Sequence, residues 1–126
     1  MKPLSLLLPG LLLALTLAGC SSSPSTPSNV VSMTNVGGSQ FSPSSLAVAA
    51  GTTVTFKDVD GSHTVDFAEG TASVEGVSES HSGNLDPGQT FQVTFTKAGT
   101  YRYFCAYHSS VGGETRTGMV GTVTVT

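Results

Sequence analysis

Apolar and polar residues alternate in short runs along the chain from Val30 onward. Val54 and Phe56 stand between Thr53, Thr55 and Lys57, and Phe91, Val93 and Phe95 stand among Gln92, Thr94 and Thr96. A period of two puts each apolar set on one face of a strand, so both segments read as strands with one buried face. Similar Val/Thr/Phe-rich runs occur at residues 30–36, 46–49, 101–105 and 120–125, and no window sustains a helical period. The turns Ala50-Gly51, Asp86-Pro87-Gly88 and Ala98-Gly99 separate them, each built from residues that reverse a chain cheaply. The pattern predicts an all-β fold, a Greek-key β-sandwich of about seven or eight strands. Tyr101, just after a turn, serves either as a tyrosine-corner residue or as a plain core aromatic. Residues 65–84 alternate only weakly and read as a variable loop or an irregular edge strand.

The first residues have another character. Lys2 precedes an almost wholly apolar run over residues 4–17, too short for the ~20 residues a membrane crossing needs but right for a secretory signal. Leu17-Ala18-Gly19-Cys20 resembles the bacterial lipobox, which implies cleavage before Cys20 and lipid on that cysteine; a plain secretory signal is the alternative. Either reading exports the chain. The expected organisation is a signal peptide at 1–19, a lipidated Cys20 with a Ser/Pro/Thr tether to residue 29, and one domain at 30–126. The expected location is a bacterial membrane, on its periplasmic or cell-surface side, with acyl chains in place of a transmembrane helix.

Beyond the signal, four basic residues face eight acidic ones, for a net charge of −4. That balance disfavours nucleic acid as a partner. Exported proteins usually pair their cysteines. With Cys20 lipidated, Cys105 is left over and calls for an explanation.

The explanation lies in Cys105-Ala106-Tyr107-His108, which ends one strand, and Met119, which opens the last. A thiolate and an imidazole three residues apart can converge on one ion, and Met119 shares the inward parity of Val123 and Val125. His63 follows the strand through Val54 and Phe56, where the chain has turned over. Two imidazoles, one thiolate and a weak thioether make the donor set of blue copper, whereas structural zinc takes four strong Cys or His ligands. His81, between Ser80 and Ser82, stays outside the set as a surface bystander.

These segments carry a resemblance that spans nearly the whole domain. F-S-P-S-S-L-A-V-A-A-G-T-T-V-T-F, H-T-V, L-D-P-G-Q-T-F, A-G-T-Y-R-Y-F-C-A-Y-H and G-M-V-G-T-V-T-V are similar to a cupredoxin of the plastocyanin/azurin type. The resemblance implies one copper per chain on His63, Cys105, His108 and Met119, cycling between Cu(II) and Cu(I) as a monomeric one-electron carrier rather than an enzyme. It implies redox partners such as a c-type cytochrome or a membrane oxidase or reductase. His108 is the expected exit for the electron, Phe104 a weaker one, and Val111, Gly112, Gly113, Met119 and Val120 a candidate docking patch. Asp58 stands where the family often has an asparagine that ties the ligand loops together; aspartate would accept similar bonds, add charge and lower the potential. Two further departures are ten residues, Ser109 to Gly118, between His108 and Met119, and a slightly short segment before His63. The rival function is a copper carrier or storage lipoprotein with no redox role, which would favour an exposed Met/His-rich cluster that the chain lacks.

Overall fold

The computed structural model describes Gly19 and residues 28–126; the expected signal, Cys20 and most of the tether lie outside the described residues. Seven strands form: β1 (Val30–Thr34), β2 (Gln40–Ser42), β3 (Ser45–Val48), β4 (Thr52–Asp58), β5 (Thr90–Phe95), β6 (Gly99–Gly112) and β7 (Thr115–Val125). One sheet has the order β2-β1-β4-β5 and the other β3-β7-β6. The all-β, two-sheet reading and the strand number hold. β1 runs parallel to β4 and β3 parallel to β7, while β4/β5 and β6/β7 are antiparallel.

The alternation does what its period requires. Val54 and Phe56 of β4 are buried, as are Val93 and Phe95 of β5, and Thr53 and Lys57 face outward. The second sheet contributes Tyr101, Tyr103, Val123 and Val125. Phe56 packs edge-on against Tyr103 with ring centroids 5.0 Å apart, and Phe41 meets Tyr103 at 4.7 Å. These T-shaped contacts add to the burial of the rings themselves. Tyr101 is buried, and its hydroxyl donates to the Lys97 carbonyl at 2.7 Å, so it serves both roles left open by the sequence. Phe56→Ala should cost about 3–5 kcal/mol of stability, read from the chemical-denaturation midpoint.

Residues 65–84 resolve as an irregular edge rather than a free loop. Asp66 exchanges both backbone bonds with Phe104 of β6, at 2.9 and 3.0 Å, and Phe67 N donates to the Ser80 carbonyl. Farther on, Ser78 N donates to Thr94 O and Thr96 N to Gly76 O, so the same segment reaches β5. It thus extends the β3-β7-β6 sheet on one side and touches the edge of the other sheet. Its placement brings residues 63–66 alongside the end of β6.

The strands differ from expectation in length at residues 109–118. They form the paired end of the β6/β7 hairpin, with Ser109 opposite Gly118, Ser110 opposite Thr117, Val111 opposite Arg116 and Gly112 opposite Thr115. Arg116 fastens this ribbon down. Its guanidinium lies 3.7 Å from the centre of the Phe104 ring, Nη1 donates to Ser109 Oγ at 2.7 Å, and Nη2 pairs with Glu69.

Candidate metal centre

β4 ends at Asp58, and the loop after it is built to aim one imidazole. The Asp60 carboxylate accepts from the Asn35 backbone N–H and the Thr34 hydroxyl, which fixes the turn against β1. Gly61 follows with φ +89°, where a Cβ would strike the Asn35 amide and the His63 ring. The chain then folds so that His63 Nε2–H donates to the Asp60 carbonyl at 2.9 Å. That bond settles the tautomer and leaves the Nδ1 lone pair directed at Cys105, with Nδ1 to Sγ 3.9 Å. The His63 backbone is bonded in both directions to Leu85, at 3.0 and 2.8 Å, so the ring stands on a fixed support.

The second half of the centre comes from a break in the β6/β7 ladder. Phe104 is opposite Val120, and the next pair is Ser109 opposite Gly118. Four residues, Cys105 to His108, therefore bulge out opposite the single residue Met119. A bulge re-aims side chains that a regular strand would send to alternating faces. Here Cys105 Sγ and His108 Nδ1 come to 3.5 Å of each other. Ser109 Oγ closes the bulge by donating to the Cys105 carbonyl. Gly118, with φ +94°, lets β7 approach where a Cβ would meet the His108 carbonyl. Because residues 109–118 form a closed hairpin, its two ends lie side by side, and Met119 is buried across from the bulge.

The donor atoms of His63, Cys105 and His108 lie within 4.8 Å of one another. With metal–nitrogen and metal–sulfur bonds of about 2.0 and 2.3 Å, a trigonal ion requires nitrogen and sulfur about 3.7 Å apart. The observed 3.5 and 3.9 Å bracket that value. One thiolate and two imidazoles, with Met119 buried on the strand paired across the bulge, suit copper and lack the strong fourth ligand of structural zinc. His63 and Cys105 are fully buried, whereas His108 is partly exposed.

The tie between the two ligand loops is made by Thr64, which corrects the role expected of Asp58. Thr64 N donates to Cys105 Sγ at 3.3 Å, and the Thr64 hydroxyl accepts from Ala106 N at 2.8 Å. Asp58 is buried at the end of β4, and neither carboxylate oxygen has a hydrogen-bond partner. Burial raises its pKa above the ordinary 3.8; His63 opposes this, and Asp60 and Asp86 add to it. The folded chain therefore holds the Asp58 proton more tightly than the unfolded chain. Its contribution to stability declines as pH rises from 3.8 through the folded value. Asp58→Asn should raise the neutral-pH stability of the metal-free protein by about 1 kcal/mol or more, the scale of an unsatisfied buried group, and flatten that pH slope in urea titrations.

The structure divides the expected docking patch. Val111, Gly112 and Gly113 are exposed near the tip of the hairpin, Val120 is half-buried in the ladder, and Met119 is inside. Tyr107, not singled out in the sequence, is exposed beside His108, with ring centroids 6.4 Å apart. Phe104 is covered by Arg116. His81 lies outside the cluster, as expected, and both of its ring nitrogens are hydrogen-bonded.

Comparison with known proteins agrees with this geometry. The family model of copper binding proteins of the plastocyanin/azurin family matches residues 28–126. Plastocyanin A/B of Petroselinum crispum is 39% identical over 94 residues, covering 71% of this chain and 90% of that protein. Plastocyanin of Lactuca sativa is 41% identical over 96 residues, with the same coverage. Among solved structures, a reduced amicyanin variant superposes with a TM-score of 0.57 at 30% identity, covering 77% of this chain and 80% of that one. A purple cupredoxin from Nitrosopumilus maritimus gives 0.55 at 26% identity, over 77% of this chain and 98% of that one. With seven strands in two sheets, a bulge that gathers His63, Cys105 and His108, and a family match across the whole domain, the chain belongs to the plastocyanin/azurin family of copper-binding proteins.

Proposed function

We propose that the protein carries single electrons between exported or membrane-bound redox proteins, using a type 1 site made of His63 Nδ1, Cys105 Sγ, His108 Nδ1 and the Met119 thioether. When bound there, copper supplies the one-electron Cu(II)/Cu(I) couple. The observation that carries this reading is that the donor atoms already stand at the separations an ion needs, on elements bonded in place. The Asp60 carbonyl and Thr64 N–H hold His63 and Cys105, so little has to move when the charge at the centre changes.

Burial also favours a carrier of electrons over a carrier of copper ions. His63, Cys105 and Met119 are closed off from solvent, and only the His108 ring reaches toward it. The electron would leave through His108, with Tyr107 beside it and Val111, Gly112, Gly113 and Val120 on the adjoining ribbon as the docking surface. Transient redox partners such as a c-type cytochrome or a membrane oxidase bury little area. On the sequence evidence, a lipid on Cys20 would hold the domain at a bacterial membrane. Palmitate-analogue labelling that persists in Cys20→Ser would contradict that anchor.

Voltammetry of the copper-loaded protein separates the two roles. Fast, reversible one-electron waves support the carrier of electrons; a bound ion that exchanges readily with chelators and gives no reversible wave supports copper storage. Met119→Leu should keep the colour and raise the potential, because the thioether that favours the oxidised ion is gone. An unchanged potential would mean that Met119 does not reach the metal.

A further inference from the structure

Thr64 lies between the copper thiolate and a buried-to-surface chain of polar groups. Its hydroxyl accepts from Ala106 N, next to Cys105, and donates its one hydrogen to Asp66 Oδ2 at 2.5 Å. The direction is forced, since an ionised carboxylate only accepts. The other carboxylate oxygen, Asp66 Oδ1, faces His81 Nδ1 at 3.0 Å, and His81 Nε2 faces the Ala72 carbonyl at 2.7 Å. Both partners of the ring are acceptors. An imidazole can donate from both nitrogens only as the imidazolium, so the fold is shaped around a charged His81 paired with Asp66.

We propose that His81 and Asp66 are positioning residues for the copper thiolate, acting through the Thr64 hydroxyl, and that the charge on His81 tunes the reduction potential of the centre. The inference depends on the copper reading above. The charges acting on His81 are Asp66, in contact, and Glu79 on its own segment. From β6 the packed group is the uncharged Phe104, and the Arg116 stacked on it is already paired with Glu69. The hydrogen bonds to Asp66 and to the Ala72 carbonyl raise the His81 pKa above its ordinary 6.5.

While His81 is charged, the Asp66 charge is balanced. When His81 loses its proton, an uncompensated carboxylate remains one hydrogen bond from Thr64, and negative charge near the centre favours the oxidised ion. The potential therefore falls as pH rises through the His81 ionisation. The same pairing contributes stability at pH below 6.5 that is lost as pH rises through the raised folded value.

The test is a pH series of potentials on copper-loaded wild type, His81→Gln, Asp66→Asn and Glu75→Gln, the last a remote exposed control. His81→Gln should lie below wild type at low pH and meet it at high pH. Asp66→Asn should lie above wild type at high pH and shift its step to lower pH, because His81 loses the partner that raises its pKa, and only His81→Gln should lack the step that the control keeps. NMR titration of His81 in the reduced wild-type protein supplies the pKa independently, and the wild-type potential should break at that pH. Denaturant titration of the metal-free wild type should show stability declining across the same range. A blue, redox-active His81→Gln protein with the wild-type pH profile would overturn the proposal, as would a wild-type potential with no break at the NMR pKa. Loss of colour in wild type would instead count against the copper reading itself.

Discussion

Cys105→Ser should abolish the intense visible absorption of the copper-loaded protein and its reversible redox wave. Serine keeps roughly the shape of the side chain but supplies no thiolate at neutral pH, and the strongest, softest donor of the set is removed. Thr64 N–H also loses the sulfur it donates to. Copper affinity should fall by more than the roughly 10–100-fold that loss of a supporting hydrogen bond to a ligand typically costs. The fold should survive, because the strands on either side are held by ladder bonds that Cys105 does not make. Visible spectroscopy and a competitive chelator titration check both parts. A variant that keeps the colour would place the sulfur ligand elsewhere.

Gly61→Ala should weaken copper binding from a residue that is not itself a ligand. At φ +89° an alanine is strained by about 1–3 kcal/mol, and its Cβ would be driven into the Asn35 amide and the His63 Nε2 edge. The turn must open, and the Asp60 carbonyl then no longer receives the His63 Nε2–H. Freed from that bond, the ring loses both its tautomer and its direction. A loss of about 10–100-fold in affinity follows from the usual cost of such supports. Chelator competition measures it, and a spectrum that keeps the wild-type shape once saturated would show that the centre still assembles at higher copper concentration.

The sequence made the sandwich legible wherever one face of a strand is buried. Val54 and Phe56, or Val93 and Phe95, announce their strands because a period of two is visible when burial alternates. The ribbon from Ser109 to Gly118 gave no such sign. Most of its residues are exposed on both faces, so its pairing depends on backbone bonds and on Arg116 rather than on apolar alternation. His63, Cys105 and His108 could be read because they are scarce residue types at strand ends. The supports around them could not: Thr64 meets Ala106 across 42 positions, Asp66 meets His81 across 15, and Asp60 acts through its carbonyl, which no side-chain motif records. Asp58 drew attention through its family position, yet the bond expected of it is made by the residue that follows His63.

The long segment before Met119 has a simple physical resolution. A closed antiparallel ribbon of any even length leaves its two ends side by side. The ribbon therefore adds surface near His108 and leaves Met119 opposite the bulge.

Titration of the metal-free protein with Cu(II), followed by visible absorption, decides whether His63, Cys105 and His108 hold a single type 1 copper. A type 1 centre gives an intense thiolate-to-copper band that grows linearly and saturates at one copper per chain. A colourless complex, or a band that saturates at another ratio, would contradict that assignment.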